Sequence, residues 1–211
     1  TLIGTIGFSQ VIFQLTNPAP LAGTYPNEYA SPAPNGNWGN LDLTVPANSI
    51  TGTLQFVEDG ADSTACVPLT NTFPANTIAV LYRGACEFGD KALAAQTAGA
   101  IGVVIINNVA TAPIVPGAGT NGGSVTIPVI MISQADGALL KADIQAGTIT
   151  NAFIGSKIGK FPVDLGANPG DVVLAQNTAA SSLLATSATE FDVVTGLWVR
   201  NFGSASQAGA T

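Results

Sequence analysis

The chain of 211 residues contains no histidine. That absence excludes a Ser-His-Asp triad and imidazole-based zinc sites, and it removes the side chain that titrates nearest neutral pH. Positive charge is scarce as well, with 6 Lys+Arg against 13 Asp+Glu and a net charge of −7. So few cations cannot neutralise many phosphates, so we expect no nucleic-acid partner and no attraction to an anionic membrane surface.

Long apolar runs are also missing. The densest, Ile101–Ile106, falls far short of the ~20 residues that a membrane-spanning helix needs, so we expect no membrane span. Residues 1–27 carry no charge and lack the basic start of a signal peptide. The chain begins at Thr1 without methionine, which is typical of a processed, exported protein. Low charge and a cysteine pair suit the outside of a cell, so we expect a secreted or extracellular protein. No Asn-x-Ser/Thr acceptor occurs, so nothing requires a eukaryotic secretory route, and we expect a prokaryotic origin.

Cysteine is limited to Cys66 and Cys86, which allow one disulfide and no four-thiolate metal site. The alternative is a pair of buried, reduced thiols. A disulfide closing a loop of about twenty residues would stabilise the fold by about 3 kcal/mol. Because an exported chain oxidises a pair placed in this way, we expect the disulfide.

The order of apolar runs predicts an α/β (α+β) fold with buried strands and two main helices, flanked by N- and C-terminal β segments. The predicted strands are Ile50–Val57, Ile78–Tyr82, Gly102–Ile106, Ile127–Ile132, Thr148–Ile154 and Phe191–Asn201, and the helices are Phe88–Ala98 and Gln134–Gln145. Residues 17–40 predict a long loop pinned by Tyr25, Tyr29 and Trp38, and residues 109–126 a flexible loop. We predict one domain over residues 1–160, with its motif core at 50–155, and a β-rich segment over 161–211.

The stretch IAVLYRGACEFGDKALAAQTAGAIGVVIINN, residues 78–108, resembles the protease-associated (PA) domain. The matching features are a buried strand, Arg83-Gly84, Cys86, a helix ending in Ala98-Gly99-Ala100, and Asn107-Asn108 after a second strand. Ile127-Pro128-Val129 and Asp136-Gly137 extend the likeness, which covers roughly residues 50–155.

The resemblance implies a non-catalytic recognition module or lid that binds protein or peptide near the Arg-Gly turn. The implied binding residues are Arg83, Gly84, Asn107, Asn108 and Gly119. An ion pair between Arg83 and Asp90 or Glu87 is the alternative for that arginine. We expect the aliphatic part of the Lys91 side chain to pack against the domain and its amine to lie in water.

Two other motifs each have a functional and a structural interpretation. Residues 117–122 match G-x-G-x-x-G, but they lead into a predicted strand rather than a helix, so a loop is the better interpretation. Glu58, Asp59 and Asp62 are a weak calcium candidate without EF-hand spacing, and a solvated acidic loop is favoured. We therefore expect no cofactor, no metal and no catalytic centre.

Three functions fit this pattern. The first is a non-enzymatic extracellular interaction module of PA type. The second is a structural subunit of a self-assembling filament or surface layer, and the third is an accessory domain of a secreted protease. Self-association could use Thr1–Leu15, an uncharged and β-prone segment that must pair either with its own sheet, near Phe191–Asn201, or with another subunit.

Overall fold

The computed structural model describes residues 10–60, 62–166, 172–173, 196–197 and 199–206. The chain divides into two compact units, residues 1–157 and 158–211. The predicted assignment of residues 1–160 and 161–211 to separate domains stays a prediction. None of the described helices is both long and apolar enough to cross a membrane.

The first unit is built from eight strands and two helices, an α/β fold as predicted. The strands are β1 Val11–Asn17, β2 Gly23–Tyr25, β3 Asn27–Tyr29, β4 Ile50–Phe56, β5 Thr77–Tyr82, β6 Gly102–Ile106, β7 Val129–Ile132 and β8 Asn151–Ser156. The helices are α1 Phe88–Thr97 and α2 Gln134–Gln145. Short 3₁₀ turns lie at Ala19–Leu21, Pro46–Asn48 and Gly122–Ser124.

The eight strands form one sheet in the order β2-β1-β8-β4-β5-β6-β7-β3. The neighbours from β4 to β7 are parallel, and the other pairings are antiparallel. The two outermost strands, β2 and β3, are consecutive in the chain and separated only by Pro26. Because Pro26 has no N–H to donate, strand pairing is interrupted at this residue. β2 therefore forms one edge of the sheet and β3 forms the other.

The central strands are buried on both faces, which explains their continuous apolar sequence. One face packs against α1 through Ala92 and Ala95, together with Leu81, Ile105 and Met131. On the opposite face, the side chains of β1 and β8 join those of the central strands in a second cluster, to which α2 contributes Leu140. This core holds the ends of β4 to β7 in fixed register.

The helix boundaries follow the predicted signals. Ser133 caps α2, with its Oγ accepting the Asp136 N–H at 3.1 Å. Gly99 and Gly147 follow the two helices with φ of +101° and +78°, a conformation that glycine adopts without the cost a Cβ imposes. Both predicted helices are confirmed, α2 with the same bounds and α1 one residue shorter.

The prediction of one long loop over residues 17–40 is wrong, because this segment contains β2 and β3. The aromatic anchors predicted there do hold it. The indole of Trp38 is buried and donates to Pro116 O at 2.9 Å, and Tyr25 OH donates to Leu21 O at 2.7 Å. A search for long periodic runs misses such three-residue edge strands.

The predicted pairing of Thr1–Leu15 with Phe191–Asn201 needs a correction. Residues 1–9 lie outside the described residues, but β1 pairs with β8 on one side and, from Phe13 to Leu15, with β2 on the other. Val11, Phe13 and Leu15 alternate inward into the core and set that register. Both edges of Phe13–Leu15 are therefore taken by this chain's own strands.

In the second unit, the described residues form two short antiparallel pairs. Leu165–Gly166 pairs with Arg200–Asn201, and Val172–Val173 pairs with Gly196–Leu197. Of the predicted strand Phe191–Asn201, only residues 196–197 and 199–201 are described.

Candidate functional site at the carboxyl edge of the parallel strands

Arg83 and Asn107 meet where two parallel strands end. Tyr82 and Ile106 are register partners, so the residues that follow them are neighbours across the sheet. Arg83 Nη1 donates to Asn107 Oδ1 at 2.9 Å, and Arg83 N donates to Ile106 O at 2.9 Å. In open α/β sheets, ligands bind at the carboxyl ends of the strands. We call this end of β5 and β6 the carboxyl edge.

Asn107 anchors the edge from within. Its side chain is fully buried, and its Nδ2 donates to Ala112 O at 3.2 Å, on the loop that follows β6. Its Oδ1 accepts the Arg83 guanidinium. One buried amide therefore ties the arginine to that loop, and the remaining guanidinium donors stay available for a ligand.

Gly84 and Asn108 complete the same edge. Gly84 has a φ of +136°, which favours glycine, and a Cβ at this position would lie 3.7 Å from Asn108 Nδ2. Gly119, the fifth predicted residue, has a different neighbour, because a Cβ there would collide with the Glu87 carboxylate. The structure thus brings four of the five predicted binding residues together and places Gly119 against the start of α1.

The second half of the 109–126 loop is held along α1 by hydrogen bonds, so the prediction of a flexible loop needs correction. Glu87 Oε2 accepts Thr120 N at 2.7 Å, and Asp90 Oδ1 accepts Asn121 Nδ2 at 2.7 Å. The carboxylates of Glu87 and Asp90, the alternative partners of Arg83, therefore bond the loop. Arg83 bonds Asn107 instead. The G-x-G-x-x-G match lies in this loop and runs into the 3₁₀ turn Gly122–Ser124. A loop is present there as predicted, but it is anchored rather than flexible.

A cavity of about 540 Å³ opens between this loop and the start of α2. Its lining carries no charged side chain and consists of Ala110, Thr111, Ala112, Ser133, Gln134, Ala135 and Ala138. Small neutral side chains leave room for an apolar group. Since Thr111 and Ala112 are also partners of the Asn107 amide, the cavity adjoins the carboxyl edge.

Cys66 and Cys86 form the predicted disulfide, with Cα atoms 5.6 Å apart. Cys86 lies between the Arg83-Gly84 turn and Glu87, the N-cap of α1. The disulfide therefore joins the carboxyl edge to the irregular segment 57–66.

Lys91 is fully buried, so the prediction of an amine in water is wrong. Its Nζ donates to Thr64 O at 2.6 Å and to the disulfide sulfur of Cys66 at 3.0 Å. Desolvation lowers the pKa of Lys91 to about 8, while the carboxylates of Asp62 and Asp59 oppose that shift. Helical spacing was one sequence sign that Lys91 is buried, because it shares a helix face with Phe88 and Ala95.

The acidic segment folds around Asp59 rather than presenting three free carboxylates. Asp59 is only 7% exposed and accepts the N–H groups of Ser63, Thr64 and Ala65 at 2.9–3.0 Å. Asp62 accepts Thr64 Oγ1 at 2.8 Å. Within the described ranges, no group of three or more Asp, Glu, Cys or His side chains could hold a metal ion. The calcium alternative at Glu58, Asp59 and Asp62 stays a prediction.

A second cleft, of about 570 Å³, lies beyond β4 and β5. The rings of Phe56 and Tyr82 stack there at 5.7 Å, and Lys141 Nζ lies 5.6 Å from the Tyr82 ring centre. Sequence patterns do not predict this cleft, because its walls come from separate elements, β4, β5 and α2.

A profile of the PA domain matches residues 50–140. The chain contains a PA domain. Two curated relatives are leucine aminopeptidases. The probable leucine aminopeptidase 2 of Aspergillus fumigatus is 32% identical over 139 residues, covering 57% of this chain and 27% of that protein. Leucine aminopeptidase 2 of Arthroderma otae is 34% identical over 135 residues, covering 58% and 25%. The chain thus spans about a quarter of the length of these relatives.

Solved structures with a similar backbone include two bacterial aminopeptidases. The aminopeptidase from Aneurinibacillus sp. strain AM-1 has a TM-score of 0.49 at 22% identity, covering 70% of this chain and 30% of that chain. BSAP, a zinc aminopeptidase from Bacillus subtilis, has a TM-score of 0.48 at 23% identity, covering 70% and 30%. Because the curated relatives are fungal, a prokaryotic origin for this chain stays a prediction.

Proposed function

We propose that this PA domain is the accessory, non-catalytic part of a secreted peptidase and that it holds peptide at the carboxyl edge. The observation that carries the proposal is the match of more than half of the chain to leucine aminopeptidases at 32–34% identity. It favours the accessory-domain hypothesis over a free-standing interaction module or a filament subunit. The disulfide supports an oxidising, extracellular location.

The carboxyl edge offers suitable chemistry for a peptide. The Arg83 guanidinium, fixed by Asn107, can donate to a peptide carbonyl or terminal carboxylate through its remaining N–H groups. The neighbouring uncharged cavity suits an apolar side chain such as leucine. Arg83, Gly84, Asn107 and Asn108 therefore orient the peptide backbone, and the alanine-rich wall receives one side chain.

Calorimetric titration with leucine-containing peptides tests the binding residues. Arg83→Gln should weaken binding at least tenfold. Lys157→Gln should leave it unchanged, because it removes one positive charge at the opposite end of the sheet, where β8 ends beside the start of β4. Ala138→Phe fills the cavity and should also weaken binding. The matched control is Ala142→Phe, one turn further along α2 and outside the cavity lining.

Two results would contradict the proposal. Equal affinity of Arg83→Gln and the parent chain removes the carboxyl edge from the binding surface. Hydrolysis of leucine p-nitroanilide by the purified chain, lost on substitution of a single Asp or Glu, would place a catalytic centre within these residues.

A further inference from the structure

The two sulfur atoms of the disulfide have unequal surroundings. Cys66 Sγ accepts from Lys91 Nζ at 3.0 Å, and the Cys86 N–H, which also bonds Gly84 O, lies 3.1 Å from it. Among the hydrogen bonds of the described residues, none has Cys86 Sγ as acceptor. The carbonyl oxygens of Gly84 and Thr64 also lie 3.4 and 3.9 Å from Cys66 Sγ and oppose negative charge there. The ammonium is closer and carries a full positive charge, so negative charge that develops on the disulfide is stabilised better at Cys66.

The cation beside Cys66 is held in place. Lys91 has no exposed surface, and its bond to Thr64 O fixes the ammonium on the first turn of α1. The charged groups around it are Asp59 and Asp62, whose carboxylates partly offset the desolvation that lowers the pKa of Lys91 to about 8, so the amine is mainly protonated at pH 7. Charge interactions are stronger in such a buried site than in water, so the ammonium acts strongly on a neighbouring thiolate.

The helix N-terminus is the competing influence, because a helix start stabilises a nearby thiolate and Cys86 immediately precedes the N-cap Glu87. In the described part of the chain, none of the first-turn N–H groups of α1 donates a hydrogen bond to Cys86 Sγ. A direct ammonium contact at 3.0 Å therefore outweighs this more distant effect on the other sulfur.

We propose that Cys86 is a site of thiolation by small thiols such as glutathione, with Cys66 as the leaving group. The thiolate of the small thiol attacks Cys86 Sγ and forms a mixed disulfide. The Cys66–Cys86 bond breaks, and its electron pair goes to Cys66 Sγ as a thiolate paired with the Lys91 ammonium. Exchange is fastest when the leaving thiol has the lower pKa, which sets this direction.

A second thiol completes the reduction. Its thiolate attacks the small-molecule sulfur of the mixed disulfide, which releases the Cys86 thiolate and forms the oxidised small-molecule disulfide. Two thiols thus supply the two electrons. The backbone favours the first step, since Ala65 and Ala85, each beside a cysteine, have φ near +60°, a conformation costly for alanine.

The position of Cys86 gives the reaction a consequence for the carboxyl edge. Thiolation adds a polar adduct two residues after Gly84 and releases the tie to residues 57–66. Independently of the function proposed above, Cys86 is thus a modification site; if that function holds, thiolation also alters peptide binding.

The folded chain is incubated with limiting glutathione at pH 7, quenched with acid, alkylated with N-ethylmaleimide and digested with trypsin. Cleavage after Arg83 separates the two cysteines onto different peptides. Mass spectrometry should find glutathione on Cys86 and maleimide on Cys66, in at least tenfold excess over the reverse. Lys91→Met should reduce this excess several-fold, and the control Lys141→Met should not.

Mapping the parent chain decides the direction even if Lys91→Met fails to fold. Glutathione on Cys66, an equal distribution, or thiolation only after denaturation would each overturn the proposal. Peptide binding is not measured, so this outcome is independent of the peptide-holding function.

Discussion

The close approach of α1 to the 109–126 loop can be tested by Gly89→Ala. Gly89 is buried, and a Cβ there would collide with Ala118 O and come within 2.5 Å of Gly122 N. Both are backbone atoms, so no side-chain rotation relieves the clash. The substitution therefore has to push the loop away from the helix.

The expected loss of stability is modest but measurable. Overpacking of this kind costs about 1–3 kcal/mol. Alanine in place of glycine within a helix recovers about 1 kcal/mol. The difference is about 0–2 kcal/mol, and because the clash is with backbone atoms the upper end applies. We therefore expect Gly89→Ala to lower the free energy of unfolding by about 2 kcal/mol.

Urea titration followed by circular dichroism measures this change. Tryptophan fluorescence in a Trp198→Phe background reports on Trp38, whose indole bonds the loop at Pro116. The control is Gly117→Ala, in the same loop, where a Cβ meets nothing within 4 Å and the change should stay within about 0.5 kcal/mol. An unchanged midpoint and unchanged Trp38 emission in Gly89→Ala would refute the anchored loop.

Four further changes test the core and its charges. Because the pKa of Lys91 is lowered to about 8 from 10.5, the unfolded state binds its proton more tightly. Stability should thus rise by about 1.5 kcal/mol from pH 8 to 9.5 in thermal melts, and Lys91→Met should abolish the rise. Replacing both Cys66 and Cys86 by alanine should cost about 3 kcal/mol in urea titration, and an equally stable variant would contradict the loop-closure argument. Asp59→Ala leaves buried N–H groups unpaired and should cost about 2–3 kcal/mol, with Asp59→Asn recovering part of the loss. Gly137→Ala drives a Cβ into Ile106 and should lower the melting temperature, whereas an unchanged melt would mean that α2 can shift.

Much of the fold follows from local sequence signals. β5 and β6 are continuous apolar runs, and Ser133 and Gly99 carry capping chemistry that depends only on nearby residues. The edge strands β2 and β3 could not be found in this way. They exist because one three-residue segment meets β1 and the next meets β7, and those pairings depend on closure of the whole sheet.

The candidate site, too, could be predicted from the sequence only in part. Parallel neighbours in register bring Arg83 and Asn107 together, so their proximity follows from the predicted strands. The burial of Lys91 does not, since its partners, Thr64 and Cys66, come from an irregular segment in which Ser63 and Ala65 have positive φ. Such a backbone leaves no periodic trace in the sequence.

Amide chemical-shift mapping shows directly whether the PA domain holds peptide at the carboxyl edge. An ¹⁵N-labelled chain is titrated with a leucine-containing peptide. We expect the largest shifts on Arg83, Gly84, Asn107 and Asn108. Largest shifts on the outer face of α1, around Leu93 and Thr97, or no shift at saturating peptide would contradict it.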